Sequence, residues 1–349
     1  MRLRARGVAS IATLVLVTAA ACGRGDAPAA DSAAPVVEGA VHGCAGSRVG
    51  VAHARPADTV RAIPVNRGTH GMIARTRWIA SPDGCAILVV EDPAAVEAEP
   101  VPNGALLVSE RGATPIVIAI DSVWDVAVDS AWTALAIGRG WILGAGGEDT
   151  VPRAKWEALA RATHVDVRAL EEHAFNASGM AYARGVSLAF VQPLGADGAA
   201  PARALGPGGW RVRWRHDTLF VGDAPANAQD HAEPTRWTMH AAPGWQPVAV
   251  PDGYAPGPQR WADGPTIQVG QARDTTLEGL RMLELAGGRV AQSRGGMISL
   301  LGVREPARTV GPGALLAATM GGRFIVALRP TPRPREFDPG LQLVVYEVP

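Results

Sequence analysis

Arg211, Arg213 and Arg215 alternate with Trp210, Val212 and Trp214. On an extended strand alternate side chains share a face, so the three guanidinium groups point the same way. Three positive charges on an inner strand need carboxylate partners or an anionic ligand. The triad is therefore a candidate site for a small anion near a central channel. The competing reading is pairing with Asp or Glu from a neighbouring sheet, or exposure on an outer strand. Asp125 and Asp129 fall on one face of a second strand, opposite Trp124 and Val126. Paired carboxylates could do acid–base work or hold calcium. Aspartates at such places also hold turns and bond backbone amides. Asp125 joins the arginines as a candidate ligand-binding residue.

The remaining chemistry is sparse. The eight histidines are scattered. Asp230, His231 and Glu233 form the densest polar cluster, with no second histidine at ligand spacing, and His164 and His173 fall on a helical stretch. The chain contains no H-E-x-x-H, G-x-S-x-G or G-x-G-x-x-G pattern. Lys155 is the only lysine, which speaks against Schiff-base and Walker-type mechanisms. No metal, cofactor or catalytic residue is assigned. Lys and Arg total 33 and Asp and Glu total 33, so no basic surplus exists for nucleic acid.

Of three cysteines, Cys44 and Cys85 have no metal-ligand spacing. In an oxidising compartment such a pair is most simply a disulfide, pinning the N-terminal segment to the first full sheet; two buried free thiols are the alternative. Residues 1–21 carry three arginines, an apolar run Ile11–Val17 and then Ala19-Ala20-Ala21 before Cys22. This is a secretory signal pattern, and the run is too short to span a membrane as a mature helix. Cys22 after the three alanines resembles a bacterial lipobox. That resemblance implies lipidation of Cys22 and an extracytoplasmic protein held to a membrane. Gly23 rather than Asp after Cys22 favours the outer membrane. An ordinary signal peptide or a short anchor is the alternative. Residues 22–43 are rich in Ala, Pro, Asp and Gly and read as a solvated tether.

These residues must be positioned by something, and one stretch shows by what. In Arg77-Trp78-Ile79-Ala80-Ser81-Pro82-Asp83-Gly84, Pro82, Asp83 and Gly84 make a tight turn. The run Ala86-Ile87-Leu88-Val89-Val90 follows without alternation. A strand wetted on one face alternates, so an unbroken run means that both faces are covered. Four short strands succeed one another from about Met72 to Ile120. Degenerate copies of the Trp-led hairpin begin at Trp124, Trp214 and Trp261, and Trp78 and Trp124 stand 46 residues apart. A four-stranded unit of about 40–50 residues suits a propeller blade. Further strands are expected at Arg48–Ala52, Met180–Tyr182, Val186–Val191, Leu280–Leu285, Val290–Gln292, Met297–Val303, Leu315–Met320, Phe324–Leu328 and Leu341–Val348. Between Thr150 and Phe175 the period becomes helical. Thr150 and Asp166 are cap candidates, and Trp156, Leu159, Ala160 and Thr163 share one face. The pattern superficially resembles a helix-turn-helix, but the chain is neutral and carries an export signal.

The Ser81–Gly84 turn and the recurring Trp-led hairpins resemble the tryptophan-aspartate-repeat and TolB-like propellers. That resemblance implies an architecture and brings no functional residues. The expected fold is all-β: a six- or seven-bladed β-propeller over residues 44–349, with one helical insertion at about 150–175 and closure by pairing of N- and C-terminal strands. An irregular β-sandwich or two stacked β-domains are the alternatives. The expected function is a lipid-anchored binding or protein-interaction module, contacting envelope proteins or a small anionic ligand. Two other readings stand beside it: a hydrolase or lyase acting on glycan or peptide in the channel, since propeller enzymes assemble sites from distant loops, and an envelope assembly component. An apolar patch around Trp156 would favour the last.

Overall fold

The computed structural model describes residue 44, residues 61–67 and, with interruptions, residues 73–348. Outside the described residues lie 1–43, 45–60, 68–72, 94–102, 112–114, 145–149, 178–183, 229–232, 264–266, 269–280, 331–340 and several single positions. The readings at Cys22, residues 1–21, the 22–43 tether, Arg48–Ala52, Met180–Tyr182, Asp230 and His231 therefore fall outside them.

The fold is all-β and mostly antiparallel, with two short α-helices among the described residues, α1 (Arg153–Thr163) and α2 (Val167–Glu172), besides a 3-10 turn at Ala286–Gly288. Sheet I contains Ile73–Ala80, Ala86–Pro93, Asn103–Ser109 and the first half of Ile116–Val128. Sheet II contains the second half of that last strand, then Ala134–Gly144, Arg184–Gly195 and Arg203–Pro207. Sheet III is Arg211–Arg215, Thr218–Gly222, Trp237–Ala241 and Gln246–Ala249. Sheet IV is Arg281–Glu284, Val290–Arg294, Met297–Leu301 and Arg308–Pro312. Sheet V is Ala314–Ala318, Phe324–Pro330, Leu341–Glu347 and the N-terminal strand Arg61–Arg67, which pairs antiparallel with Leu341–Glu347.

The apolar runs are continuous because these sheets stack face to face. Along one strand Ile87 and Val89 pack into a cluster with Leu316, Val326 and Val345 of sheet V. Their neighbours Ala86, Leu88 and Val90 pack into another with Val126, Leu135 and Ile137 of sheet II. Sheet V turns its second face to sheet IV through Leu315, Ile325 and Val344 against Ala291, Ile298 and Leu300. Sheet II turns its second face to sheet III through Ala134, Ala136 and Val191 against Val212, Leu219 and Val221. The stacking order is IV–V–I–II–III. Each interior sheet is dry on both sides, and the side-chain period of two assigns alternate residues to alternate neighbours.

Two sequence expectations are corrected here. The strand expected to open the hairpin at Trp124 does pair with Ala134–Gly144, but it is continuous with the strand before it: Ile116–Val128 is one element that joins sheets I and II into a twelve-stranded assembly. Thirteen extended residues would span about 40 Å. Yet Ile116 pairs with Ser109, and Arg111 donates to the Ala131 carbonyl at 3.0 Å beyond the other end. The strand therefore doubles back, at Ser122 with φ 55° and at a register shift between Val123 and Asp125. The stretch around Trp261 is not a hairpin copy either. Ala262–Asp263 and Ile267–Gln268 both pair along Ile73–Ala80. They satisfy backbone groups that an open sheet edge would leave unpaired, with the Arg77 guanidinium 5.9 Å from the Trp261 ring centroid.

One edge of the stack is a row of like turns. In the first, the Gly84 amide donates to the Ser81 carbonyl and the Ala86 amide to Ser81 Oγ, both at 2.8 Å. In the second, Trp132 N donates to the Asp129 carbonyl at 3.0 Å and Ala134 N to the Asp129 carboxylate at 2.8 Å. In the third, Gly322 N donates to the Thr319 carbonyl at 2.8 Å and Phe324 N to Thr319 Oγ1 at 3.1 Å. The fourth position is left-handed each time, with φ 68° at Gly84, 58° at Trp132 and 70° at Gly322. The turns are tied together. Met320 N donates to the Gly84 carbonyl at 2.8 Å. The buried Glu110 carboxylate accepts from Thr319 Oγ1 and from Arg323 N.

Asp83 in the first turn accepts from Arg111, Ser81 and the Cys85 amide. Burial raises its pKa, but these hydrogen bonds outweigh it and hold the carboxyl at about 2. A depressed carboxyl stabilises the fold above its unfolded value near 4, and that contribution disappears as pH falls through 2. Between pH 4 and pH 2 the wild-type melting temperature is expected to fall more steeply than that of Asp83→Asn. Parallel slopes would show that Asp83 is not held down.

Cys44 and Cys85 are joined, with Cα atoms 5.3 Å apart and a sequence separation of 41. A loop of that size contributes about 2–4 kcal/mol in the loop-entropy description. The double Cys→Ser chain is expected to lose that much in urea unfolding. No loss would mean that the loop is held equally well without the bridge.

Candidate functional site

The arginine strand keeps its alternation, because Arg211, Arg213 and Arg215 oppose Gly222, Phe220 and Thr218 in an unbroken ladder. Val212 and Trp214 face sheet II. The three arginines share a face but not an environment. Arg213 is buried and forms an ion pair with Asp125, whose carboxylate also accepts from the Val212 amide at 3.0 Å. Asp125 belongs to the first strand of sheet II, so the contact is the cross-sheet pairing that buried guanidinium groups require. Arg215 is exposed, donates to the Tyr254 hydroxyl and lies 5.2 Å from that ring centroid. It is not part of the cluster around Asp125. Arg211 donates to the Trp210 carbonyl at 3.0 Å and lies over the Trp210 ring at 5.1 Å. Burial lowers its pKa most, Asp125 opposes that, and Arg213, Glu233 and Arg77 all lie near enough to act on its charge.

Asp125 and Arg211 thus come from the first strands of sheets II and III, and Arg77, from the first strand of sheet I, acts on the charge of Arg211. Sequence reasoning missed Arg77 and Glu233 as members of this group. Arg77 stands beside Arg75 and Thr76 in a strand that is not uniformly apolar, and nothing in the spacing tied residue 77 to residue 211. Asp125 and Asp129 do not act as a carboxylate pair. Asp129 is spent on its turn, accepting from Thr133 N and Thr133 Oγ1 at 2.7 Å and from Ala134 N at 2.8 Å.

Beneath the cluster the rings of Trp124, Phe175 and Trp210 pack together, with Trp124 and Trp210 centroids 4.8 Å apart. At the same end sits the helical insertion. Trp156, Leu159 and Leu170 are buried against Leu143, Val186 and Leu188. Trp156 is 4% exposed, so the apolar patch that would mark an assembly surface is covered by the protein's own strands. α2 is capped by the Asp166 carboxylate, which accepts from Arg168 N at 2.7 Å. Thr150 makes no cap; Pro152 precedes α1 and offers it no side-chain hydrogen bond. His173, which ends α2, places Nδ1 3.9 Å from Asp223, and Asp223 also meets Arg236 at 3.3 Å. These three join the insertion to sheet III. Among the described residues no group of three or more His, Cys, Asp or Glu is arranged to hold a metal ion.

No protein-family model matches the chain, and no curated protein matches it. Among solved structures it is similar to the β-propeller domain of the Trilobed protease from Pyrococcus furiosus, described as having an open velcro topology. The identity is 10% and the TM-score 0.24, over 82% of this chain and 69% of that one.

Proposed function

We propose that the chain is an extracytoplasmic β-propeller, tethered to a membrane through a lipid on Cys22, that serves as a binding or interaction module. The observation that carries this reading is the stacking order IV–V–I–II–III, with first strands of consecutive sheets bringing Arg77, Asp125, Arg211 and Arg213 together. A radial arrangement of small sheets explains why every interior sheet is dry on both faces. It also explains why an N-terminal strand completes the C-terminal sheet. First strands then line the axis, and their charges are what a ligand entering along it would meet. The chemistry recognised there is a small anion, a carboxylate or phosphate, engaging Arg211 beside the Arg213–Asp125 pair.

Calorimetric titration of the purified chain with citrate and with inorganic phosphate tests the ligand. Binding is expected in wild type and should weaken at least about tenfold in Arg211→Ala, the loss of one charge-assisted contact. Equal binding by both proteins would remove Arg211 from the site. Incorporation of labelled palmitate tests the tether, with Cys22→Ser expected to abolish it.

A further inference from the structure

We infer that the edge bearing the Ser81, Asp129 and Thr319 turns faces the lipid bilayer, with Val303 and Met320 at its surface. This rests on the lipid anchor proposed above. Two independent observations fix where the anchored end of the chain reaches the domain. The bridge from Cys44 ends at Cys85, directly after the first turn. Arg61 pairs with Glu347, and Val348 N donates to the Arg323 carbonyl beside the Thr319 turn, so Arg61–Arg67 enters the domain from this same edge. Both routes place the described residues Cys44 and Arg61 at the turns and not at the helical insertion. Between Cys22 and Cys44 lie 21 residues, a reach of at most about 70 Å and far less for an unextended chain.

The edge itself offers what a bilayer interface accepts. Val303 is 74% exposed, and Arg304 beside it is exposed too. Met320, 41% exposed, stands on the third turn, one position before the glycine pair. The two lie close together. The Ala286 amide donates to the Met320 carbonyl, and Val303 packs over Gly288, two residues on. An apolar pair with a neighbouring guanidinium is suited to the headgroup boundary. The opposite edge, with the helical insertion and the approach to the Arg211 cluster, is then turned to the aqueous side.

Met297 supplies an internal reference. It is 42% exposed and lies at the far end of sheet IV, beside the Gly295-Gly296 turn. The full lipidated protein is placed in protein-free vesicles of phosphatidylethanolamine and phosphatidylglycerol and footprinted with hydroxyl radicals. Oxidation of Met320 relative to Met297 is expected to fall about fivefold against the Cys22→Ser chain, which stays in the supernatant. Val303→Asp should remain vesicle-bound yet regain most of the Met320 oxidation. Equal oxidation of both methionines in a vesicle-bound protein overturns the orientation and leaves the anchor standing. A wild-type chain that does not bind vesicles overturns both. Protection of Met320 in native envelopes but not in protein-free vesicles overturns the bilayer as occupant in favour of a partner protein.

Discussion

Gly138→Ala is expected to cost more than about 4 kcal/mol, enough to unfold the chain at moderate urea. A Cβ at residue 138 would stand 1.8 Å from the Gly209 carbonyl oxygen and 2.9 Å from its carbonyl carbon. Both are backbone atoms of the crossover from sheet II to sheet III, so no side chain can swing away. Gly209 is equally confined. Its φ is 99°, and a Cβ there would meet the Leu188 carbonyl oxygen at 2.8 Å. Two bare backbones thus touch at the crossover between sheets II and III. Relief would require separating the sheets, whose contact includes Ala136, Ala189, Val212 and Val221. Gly140→Ala is the companion case. Its Cβ would fall 1.3 Å from Trp124 Nε1, in a ring packed on Trp210 and Phe175. Urea unfolding followed by tryptophan fluorescence reads both. A loss under about 1 kcal/mol at Gly138 would mean that the sheets are not this close.

Asp125→Ala has the second largest expected effect, about 3–5 kcal/mol, because it leaves the Arg213 guanidinium buried without its carboxylate. It also removes the acceptor of the Val212 amide, a backbone donor at the sheet II–III seam. The charge is the larger part of this. Arg213→Met in the Asp125→Ala background is expected to recover a good part of the lost stability, since the lone charge is then gone. A double-mutant cycle in urea measures the coupling. Additive losses would show that the two side chains do not depend on one another.

Much of the architecture was legible because dryness on both faces leaves a mark on the residues. Ala86–Val90, Ala105–Val108 and Phe324–Leu328 are apolar without alternation, and each proves to lie between two neighbouring sheets. The Ser81–Gly84 turn was readable from Pro82, Asp83 and Gly84. Its relatives were harder to see. Asp129 and Thr319 do Ser81's work with different oxygens, and Trp132 takes the left-handed position that Gly84 and Gly322 fill. The turn conserves hydrogen bonds, not residue types. The bend at Ser122 escaped because serine does not announce a positive φ. The Trp261 stretch escaped because a tryptophan signals burial but not a pairing partner. Its neighbours pair with a strand some 185 residues earlier in the chain. In the candidate site, the shared face of Arg211, Arg213 and Arg215 followed from alternation alone. Which of them meets Asp125 depends on the bend and the sheet-to-sheet distance, and neither is written locally.

The stack depends on the first described strand completing the last sheet, and a designed crosslink addresses that pairing directly. Ile63 and Val345 are partners across Arg61–Arg67 and Leu341–Glu347. Directly opposed Cα atoms lie about 4.5–5.5 Å apart, within disulfide range. With the Cys44–Cys85 bridge intact, Ile63→Cys with Val345→Cys is expected to yield a linked peptide by mass spectrometry under mild oxidation. Ala62→Cys with Val345→Cys, offset by one residue and so on opposite faces, should not. Free thiols in the first pair, or equal linkage in both, would contradict the closing strand.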